Sequence, residues 1–262
     1  MKIAVIGAGN MGGAIVRGLI EKGVPAGDIT LTCRTEAKLN GFANDYPDLS
    51  TSTDNCVAIK GADVIILAVK PWILPAVIEE IAPRIAFHNQ IIVSLAAGVS
   101  IADIDEMLHR YSSSRTIFRA MPNTAMAVGS SMTFICYNRA KDEQVALVSD
   151  IFNRLGTTAV IEERLFGAAT ALCSCGIAYA MRYVRAATEG AVELGIYPKQ
   201  AREYVLATLR GAIDLLQATG NNPEVEIDKV TTPGGITIKG LNAMEANGFT
   251  TAVIEGLKAS NK

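Results

Sequence analysis

The stretch KIAVIGAGNMGGAIVRGLIEKG, residues 2–23, decides the fold. It begins with a short apolar run typical of a buried strand and ends in an amphipathic helical pattern. Between them, Gly7, Gly9 and Gly12 form a GxGxxG motif. The first glycine makes the tight turn, the second lets the backbone approach a pyrophosphate, and the third lets helix and strand pack closely. The context favours a dinucleotide site over an ordinary glycine-rich turn.

Short apolar runs and amphipathic runs continue to alternate up to about residue 162. This alternation predicts an α/β fold with a Rossmann-like, doubly wound parallel sheet. The predicted strands are residues 2–7, 29–33, 62–69, 90–98, 115–123, 130–138 and 157–163, and the predicted helices are 10–23, 35–45 and 141–156. We therefore assign residues 1–161 to a dinucleotide-binding domain.

The remainder, residues 162–262, has helical spacing throughout and few strand formers. We expect an all-α second domain. It is unusually apolar and rich in alanine and glycine, residues that permit close approach of helices. Such a surface predicts pairing with a second copy of the chain, so we expect a homodimer or a larger homo-oligomer.

Composition argues against two classes of partner. The chain is 50% hydrophobic and 19% charged, with a net charge of −2 and no long basic run, so we expect no nucleic-acid surface. The longest apolar runs, such as residues 63–69 and 91–99, are too short to span a membrane. We expect a protein that binds small molecules and no membrane.

The five cysteines are an odd number and include no CxxC pair. Reduced cysteines are typical of a cytoplasmic protein. Cys173 and Cys175 form a CxC pattern without a nearby histidine, which favours two small buried residues in close helix packing over a metal pair. We predict no metal site.

The choice between dinucleotides depends on the end of the second strand, where an NAD site usually has an acidic residue. Cys33, Arg34 and Thr35 occupy that place, and Asp28 lies at the other end of the strand. A guanidinium and a hydroxyl suit a 2′-phosphate, which a carboxylate would repel. We therefore predict a preference for NADPH with NADH possible, the alternative being a solvated Arg34.

Three further loops follow predicted strand ends, at residues 68–71, 94–98 and 121–124, where a doubly wound fold binds its ligand. Each loop alone could be a simple turn, but their shared edge favours a common ligand. From the motif and these loops, the predicted cofactor-binding residues are Gly7, Ala8, Gly9, Asn10, Met11, Gly12, Cys33, Arg34, Thr35, Ala68, Val69, Lys70, Pro71, Ser94, Leu95 and Ala96.

Residues 231–240, TTPGGITIKG, predict an anion site at a helix start, because Gly234 and Gly235 expose free backbone N–H groups. No nucleophilic triad is evident in the sequence, and the two histidines fall on expected surface. A protonated imine needs no strong general acid for reduction, only alignment and a hydrogen-bonding group near its nitrogen. The hydroxyl of Thr237 would serve.

The segments IGAGNMG, AVKPW, SLAAGVSI and RAMPNTA, and above all DKVTTPGGITIKGLNAMEANGF (residues 228–249), resemble the pyrroline-5-carboxylate reductase family. The resemblance covers essentially the whole chain. It implies NAD(P)H-dependent reduction of 1-pyrroline-5-carboxylate to L-proline, the final step of proline biosynthesis. It also implies a helical domain that interlocks two subunits.

The resemblance also implies roles for individual residues. The substrate carboxylate would lie on the N–H groups of Gly235, Ile236 and Thr237, and Thr237 would bond the ring nitrogen as the catalytic residue. Asn55 matches an asparagine that touches the cofactor, the alternative being a turn residue. Glu163 matches an acidic residue near both ligands, the alternative being a helix N-terminal charge. The full substrate-binding set is Glu163, Thr232, Gly234, Gly235, Ile236 and Thr237.

Some residues depart from the family pattern. Thr232 replaces a serine, Ile236 replaces a threonine or alanine, and CSCGIAY replaces a Ser-Gly-Ser-Gly-Pro-Ala-Tyr pattern, which places Ile177 where a proline is usual. Reduction of a different cyclic imine, or NADPH sensing without catalysis, are therefore the alternative functions.

Overall fold

The computed structural model describes residues 1–261, and in it the predicted strands of the first half form one sheet. Within that range the sheet has eight strands in the order β3-β2-β1-β4-β5-β6-β7-β8. The strands are β1 (Ile3–Ile6), β2 (Ile29–Thr32), β3 (Ser50–Ser52), β4 (Val64–Leu67), β5 (Ile91–Ser94), β6 (Ile117–Met121), β7 (Ser131–Asn138) and β8 (Gly156–Val160). The order runs outward in both directions from β1 and β4, which confirms the predicted doubly wound sheet.

Two details of the sheet differ from the sequence prediction. β7 runs antiparallel to β6, because the connection at residues 122–130 is too short for the crossover that a parallel pair needs. The short edge strand β3 was not predicted, since its three polar residues, Ser50–Ser52, carry no apolar periodicity. The other strand pairs are parallel.

Helices cover both faces of this sheet and divide its core into two clusters. One cluster contains Val5, Ile66 and Val93, and the other contains Ile6 and Leu67. Successive strand residues point to opposite faces, so strands that are apolar at every position supply both clusters. The helices are α1 (Asn10–Glu21), α2 (Glu36–Asp45), α3 (Asn55–Ala58), α4 (Leu74–Ile81), α5 (Ile101–Leu108), α6 (Asp142–Asn153) and α7 (Phe166–Ala169).

The second half is helical, as predicted, and exposes most of its apolar side chains. Its helices are α8 (Gly176–Glu193), α9 (Pro198–Thr219), α10 (Pro223–Lys229), α11 (Ile236–Ala246) and α12 (Phe249–Ser260). Among the described residues of α8, α11 and α12 none is buried, and α9 buries only Ala201. This half therefore has little apolar core of its own.

By packing, the chain forms two compact units, Met1–Ser174 and Cys175–Asn261. The predicted boundary between residues 161 and 162 falls just after the last strand ends at Val160, where the pattern changes to helices alone. The first turns of that helical run, through Ser174, pack with the first unit. The boundary between functional domains remains a prediction.

The CxC pattern lies in a π-helical segment, Thr170–Cys175, directly before α8. Cys173 and Cys175 are only partly buried, so the expectation of two buried residues is wrong for the single chain. A π-helix is wider than an α-helix and often marks a functional segment. The five cysteines, all within residues 1–261, are free.

The helical run Glu163–Glu193, 31 residues long, is long and apolar enough to cross a membrane by length and composition. Charged residues such as Arg182 and Arg185 interrupt this run, so it differs from the short uninterrupted apolar runs noted in the sequence, and the expectation of no membrane stays a prediction. Only 17% of its most apolar window is buried in the single chain. An apolar helix with this exposure needs either lipid or another protein surface to cover it.

Candidate active site

The carboxyl ends of four parallel strands lie level at one edge of the sheet. Ile6 is in register with Thr32 of β2 and with Leu67 of β4, and Leu67 is in register with Ser94 of β5. The chain leaves β1 toward β2 and leaves β4 toward β5, so β1 and β4 flank the point where strand order reverses. Open α/β sheets bind their ligands there. The structure thus brings the predicted cofactor loops to one edge.

The glycine motif lies between β1 and α1 as predicted. Gly7 has φ of +110°, and a Cβ added there would lie 2.7 Å from the carbonyl oxygen of Ala68. A Cβ on Gly12 would lie 1.9 Å from the carbonyl oxygen of Gly7, whereas one on Gly9 would have no neighbour within 4 Å. Two glycines are therefore required by packing, and the third leaves open the space where a pyrophosphate would approach the backbone.

The start of α1 is suited to bind an anion. Its N-cap is Gly9, which offers no side chain to the first-turn N–H groups, and the first turn contains no acidic residue. Asn10 and Met11 supply N–H groups of this turn. Because helix N-termini carry partial positive charge, the observed geometry fits a dinucleotide pyrophosphate.

The end of β2 carries the groups that would distinguish the two cofactors. Arg34 and Thr35 are exposed, and the thiol of Cys33 accepts the N–H of Thr35 at 3.5 Å. Thr35 is the N-cap of α2, and its hydroxyl makes no cap hydrogen bond within the described residues. A guanidinium, a hydroxyl and a helix start therefore occur together after Thr32, where an NAD site would have a carboxylate.

The side chain of Asn55 is engaged within the protein. Its Oδ1 accepts the hydroxyl of Thr32 at 2.7 Å, and its Nδ2 donates to the carboxylate of Glu80 at 3.0 Å. The residue thus joins the end of β2 to α3 and α4, so it holds the edge in place. Direct contact with the cofactor, as the resemblance implies, remains a prediction.

The loops after β4 and β5 are held against each other. The N–H of Leu95 donates to the carbonyl of Leu67 at 3.1 Å, and the hydroxyl of Ser94 accepts the N–H of Ala96 at 3.2 Å. In the loop after β4, Ala68, Val69 and Pro71 are partly buried, and Lys70 is exposed. This leaves the ammonium of Lys70 available at the same edge.

Glu163 begins the helical turn after β8 and lies beside β6 and α5. Its Oε1 accepts the Nη1 of Arg119 at 2.7 Å and the backbone N–H of Ile101 at 2.7 Å. A cleft of about 410 Å³ adjoins this carboxylate and is lined by Ile101, Cys136, Tyr137, Asn138, Val160, Ile161, Glu162 and Glu163. The sequence analysis used Arg119 only as the first residue of the segment RAMPNTA and gave it no role, because nothing local indicates its pairing with Glu163.

The thiol of Cys136 borders this ion pair. Burial raises its pKa to about 12, and the nearby carboxylate of Glu163 adds to the rise. The thiol is therefore protonated at neutral pH, which excludes it as a nucleophile under those conditions.

The second unit contains the anion loop and Thr237. The N–H of Gly235 donates to the carbonyl of Thr232 at 2.9 Å, with proline at the second turn position and Gly234 at φ of +73°. These features define a type II turn. Gly235 is the N-cap of α11, and Thr237 is the second residue of that helix and is exposed. The predicted anion site is thus a glycine-capped helix start, but the prediction of a free N–H at Gly235 is wrong, because the turn uses it, and the free donors are those of the first helical residues, Ile236 and Thr237.

One cluster could ligate a metal. One side-chain ligand atom of each of Asp54, Cys56 and Glu80 lies within 4.8 Å of the others. The Oδ1 of Asp54 already accepts the N–H groups of Cys56 and Val57, so it serves as the N-cap of α3. Its helix-capping role accounts for its position.

A Rossmann sheet with a glycine-rich pyrophosphate cradle and a separate helical unit defines a dinucleotide-dependent oxidoreductase. Residues 163–262 match the family profile described as pyrroline-5-carboxylate reductase dimerisation, and residues 2–98 match the profile of coenzyme F420-dependent NADP oxidoreductases. The first profile covers the second unit, and the other covers the part of the first unit that contains the glycine motif.

Whole-chain comparisons agree with these matches. Dictyostelium discoideum pyrroline-5-carboxylate reductase 2 is 34% identical over 98% of this chain and 90% of its own length. Reductase 1 of the same organism is 37% identical, but this chain spans only 48% of its length. The crystal structure of Plasmodium falciparum pyrroline carboxylate reductase with NADP bound matches with a TM-score of 0.89 at 26% identity, over 99% of this chain and 95% of that one. The chain belongs to the pyrroline-5-carboxylate reductase family, and the predictions of family, fold and enzyme class are confirmed.

Proposed function

We propose that this chain reduces 1-pyrroline-5-carboxylate to L-proline with NADPH as hydride donor, the final step of proline biosynthesis, at the residues assigned above. The observation that carries the assignment is the type II turn Thr232–Gly235 that opens α11 beside the hydroxyl of Thr237. The substrate is a cyclic imino acid with one carboxylate and one ring nitrogen. A glycine-capped helix start and an adjacent hydroxyl match these two groups.

Each residue of the second unit has a defined task in this proposal. The N–H groups of Ile236 and Thr237 bind the substrate carboxylate, while Thr232, Gly234 and Gly235 form the turn, in which the N–H of Gly235 is already bonded to the carbonyl of Thr232. The hydroxyl of Thr237 hydrogen-bonds the ring nitrogen and orients the C=N bond. The imine binds as an iminium, so its carbon accepts a hydride without proton transfer from a strong acid. The C=N bond becomes a single C–N bond, and the nitrogen keeps its proton.

The first unit binds NADPH, which supplies the hydride when bound. The N-terminus of α1 and the open face of Gly9 hold the pyrophosphate. Arg34 and Thr35 hold the 2′-phosphate, and the loops after β4 and β5 position the nicotinamide end. The NADP-bound Plasmodium relative supports this cofactor.

The functional unit is a homodimer, free of membrane and nucleic acid, in the cytoplasm. The match to a dimerisation profile supports a second copy as the cover of the apolar helices in residues 163–262. The same match favours protein over lipid as the cover of the apolar run Glu163–Glu193. Free cysteines support a reducing compartment.

Oxidation of NADPH in the presence of 1-pyrroline-5-carboxylate tests the function directly, by loss of NADPH absorbance and detection of proline. We expect turnover with the five-membered ring to exceed turnover with a six-membered cyclic imino acid. The reverse preference would identify a different cyclic imine as the substrate. The departure from the family pattern at Ile236, whose side chain is 87% exposed, would then be a candidate cause. NADPH binding without turnover of either ring would indicate a sensor.

Replacement of Arg34 by glutamate tests the cofactor preference. Losing a charge-assisted hydrogen bond to the 2′-phosphate costs about 1.5–3 kcal/mol, and the new carboxylate adds repulsion. We expect Arg34→Glu to weaken NADPH at least about 10-fold more than NADH. Equal loss of both cofactors would show that Arg34 does not contact the 2′-phosphate.

A further inference from the structure

We propose that the ion pair of Arg119 and Glu163 positions the loop between β5 and α5 for NADPH binding. Glu163 would then act on the cofactor through this loop instead of contacting the substrate. The inference rests on the proposed function only in taking residues Ser94–Ala96 as part of the cofactor site. It assigns a role to Arg119, and it replaces the substrate contact that the family resemblance implies for Glu163.

The same carboxylate oxygen joins two elements. Oε1 of Glu163 accepts the guanidinium of Arg119 from β6 and the backbone N–H of Ile101 at the first position of α5. The start of α5 also has its own cap, in which Ser100 and Asp103 bond each other reciprocally. The local cap binds the N–H groups of Ser100 and Asp103 but not that of Ile101, so Glu163 satisfies this remaining donor and ties the helix start to β6.

Arg119 is set to orient this carboxylate. The residue is 7% exposed, and its guanidinium carbon lies 4.5 Å from the centre of the Phe166 ring. Its Nε is a buried nitrogen without a hydrogen-bond partner among the described residues. A buried cation is costly unless it is paired, so Arg119 strongly favours the position of Glu163 that keeps the 2.7 Å contact.

The β5–α5 loop is held at both ends, by the sheet at one end and by the ion pair at the other. At one end, Arg119 is the β6 neighbour of Ser94 in strand register. At the other end, Glu163 holds the N–H of Ile101. Between them lies Gly98, with φ of +75° and no neighbour within 4 Å of an added Cβ. The sheet bond of Leu95 and the hydroxyl of Ser94 hold residues 94–96 from one side, and the ion pair limits the movement of the loop from the other side, through Ile101.

Glu163→Gln removes the negative charge of the side chain but keeps nearly the same shape. Glutamine keeps an oxygen for the N–H of Ile101 but leaves the guanidinium of Arg119 without a counter-charge. We expect the Kd of NADPH, titrated by fluorescence without substrate, to rise about 10-fold. The substrate KM, determined with the imine at saturating NADPH, should stay within about twofold of wild type, and the melting temperature should fall.

Adding Arg119→Met distinguishes positioning from a purely structural role. The double variant has no buried unpaired charge, so we expect its melting temperature to recover. Its Kd for NADPH should stay raised, because nothing orients the amide of residue 163. Recovery of both quantities would reduce the pair to a stability role. The double variant also supplies the binding measurement if Glu163→Gln alone does not fold.

Glu162→Gln is the matched control. Glu162 is adjacent in sequence and borders the same cleft, but its side chain is exposed and pairs with the exposed Arg164. We expect its NADPH Kd and melting temperature to match wild type, and a Kd shift equal to that of Glu163→Gln would overturn the proposal.

Two further results overturn the assignment. An unchanged NADPH Kd with a raised substrate KM in Glu163→Gln would place Glu163 on the substrate. No change in either quantity would leave the pair without a positioning role. Failure of wild type to reduce the imine would refute the proposed function alone, because NADPH titration measures the positioning role without turnover.

Discussion

The two compact units bury their apolar side chains to different degrees. In Met1–Ser174, strands β1, β4 and β5 are buried at every position. In the described part of Cys175–Asn261, four of the five helices bury at most one residue that is apolar, and the fifth, α10, buries only Glu226. The first unit buries its own apolar side chains, whereas the second exposes an apolar surface in a region that matches a dimerisation profile. The exposed apolar side chains of the second unit are thus the ones that a second copy would cover in the proposed dimer.

The largest effect is expected from adding a methyl group at Gly12, at a closely packed point of the first unit. In Gly12→Ala the new Cβ would lie 1.9 Å from the carbonyl oxygen of Gly7, a backbone atom that cannot rotate away. Overpacking usually costs about 1–3 kcal/mol, and a backbone clash at this distance exceeds that range. We expect the Kd of NADPH to rise on the order of 1,000-fold, measured by fluorescence titration.

Gly41→Ala is the matched control for this change. Gly41 lies in α2 of the same unit, and an added Cβ there has no neighbour within 4 Å. We expect the free energy of unfolding to rise by about 0.5–1 kcal/mol through helix propensity. Tolerance of Gly12→Ala with unchanged NADPH binding would contradict the close packing of α1 on the β1 turn.

Much of this unit could be predicted from sequence because its signals are local. The motif Gly7, Gly9 and Gly12 between a strand and a helix identifies the cradle. The position of Asp28 before β2 also matches the structure. The antiparallel β7 was missed, although the short stretch between the predicted strands 115–123 and 130–138 already excludes a parallel crossover. The edge strand β3 could not be predicted, because Ser50–Ser52 has no apolar pattern.

An ion pair in each unit offers a second comparison. Nε of Arg115 lies 2.7 Å from Oδ1 of Asp105 in the first unit, with side-chain exposures of 5% and 25%. Arg185 and Glu189 in the second unit are 72% and 64% exposed. Leaving a buried charge unpaired costs far more than breaking an exposed pair. We expect Asp105→Asn to lower the free energy of unfolding by about 3 kcal/mol, and Glu189→Gln by less than about 0.5 kcal/mol, in urea titrations.

The Asp105 pair also predicts a pH dependence. Its hydrogen bond to Arg115 lowers the pKa of the Asp105 carboxyl below its usual value. A lowered folded-state pKa gives stability that is present above the unfolded-state pKa of about 3.9 and lost as pH falls through the folded-state pKa. Wild type should therefore lose this contribution below about pH 4, and Asp105→Asn should show a flatter profile there. Parallel profiles would show that the pair does not contribute.

The exposed surface of the second unit can be tested by placing a charge on it. Ile213 in α9 is 54% exposed in the single chain. If a second copy covers it, an aspartate there buries a carboxylate in the interface, at a cost of about 2–3 kcal/mol. We expect Ile213→Asp to raise the dimer Kd about 30-fold or more, measured by sedimentation velocity over a range of concentrations.

Val128→Asp makes the same replacement in the first unit. Val128 is 77% exposed, and we expect this variant to sediment as wild type does. Dissociation by Val128→Asp and not by Ile213→Asp would move the interface to the first unit. A wild-type protein that stays monomeric at high concentration would also contradict the interpretation of the apolar helices.

The site was less predictable than the fold, for physical reasons. The anion loop carries a local signal, two glycines after a proline, and its turn forms as that signal predicts. Arg119 has no such signal, because its partner Glu163 is distant in sequence and meets it only in the folded chain. The membrane-length helix was missed because its apolar residues are interrupted by small and polar ones. Local turn chemistry is readable from sequence, but long-range charge pairing is not.

The last expected effect is on the rate of substrate reduction and concerns the hydroxyl of Thr237 in the second unit. Thr237 is exposed at the second position of α11, so removing its hydroxyl should barely change stability. A hydrogen bond to a charged group is worth about 1.5–3 kcal/mol. We therefore expect Thr237→Ala to lower kcat/KM roughly 10- to 150-fold, measured by NADPH oxidation with 1-pyrroline-5-carboxylate.

Thr237→Ser distinguishes the lost hydroxyl from the lost methyl group as the cause of the lower kcat/KM in Thr237→Ala. Serine keeps a hydroxyl at the same position on a helix start whose N-cap, Gly235, offers no side chain. If the hydroxyl orients the ring nitrogen, serine retains most of the activity, and the NADPH Kd is unchanged in both variants. Equal losses for alanine and serine would assign the effect to the lost methyl group. A raised NADPH Kd would place the cofactor in this loop. A wild-type rate for Thr237→Ala would show that the second unit binds the substrate through its backbone alone.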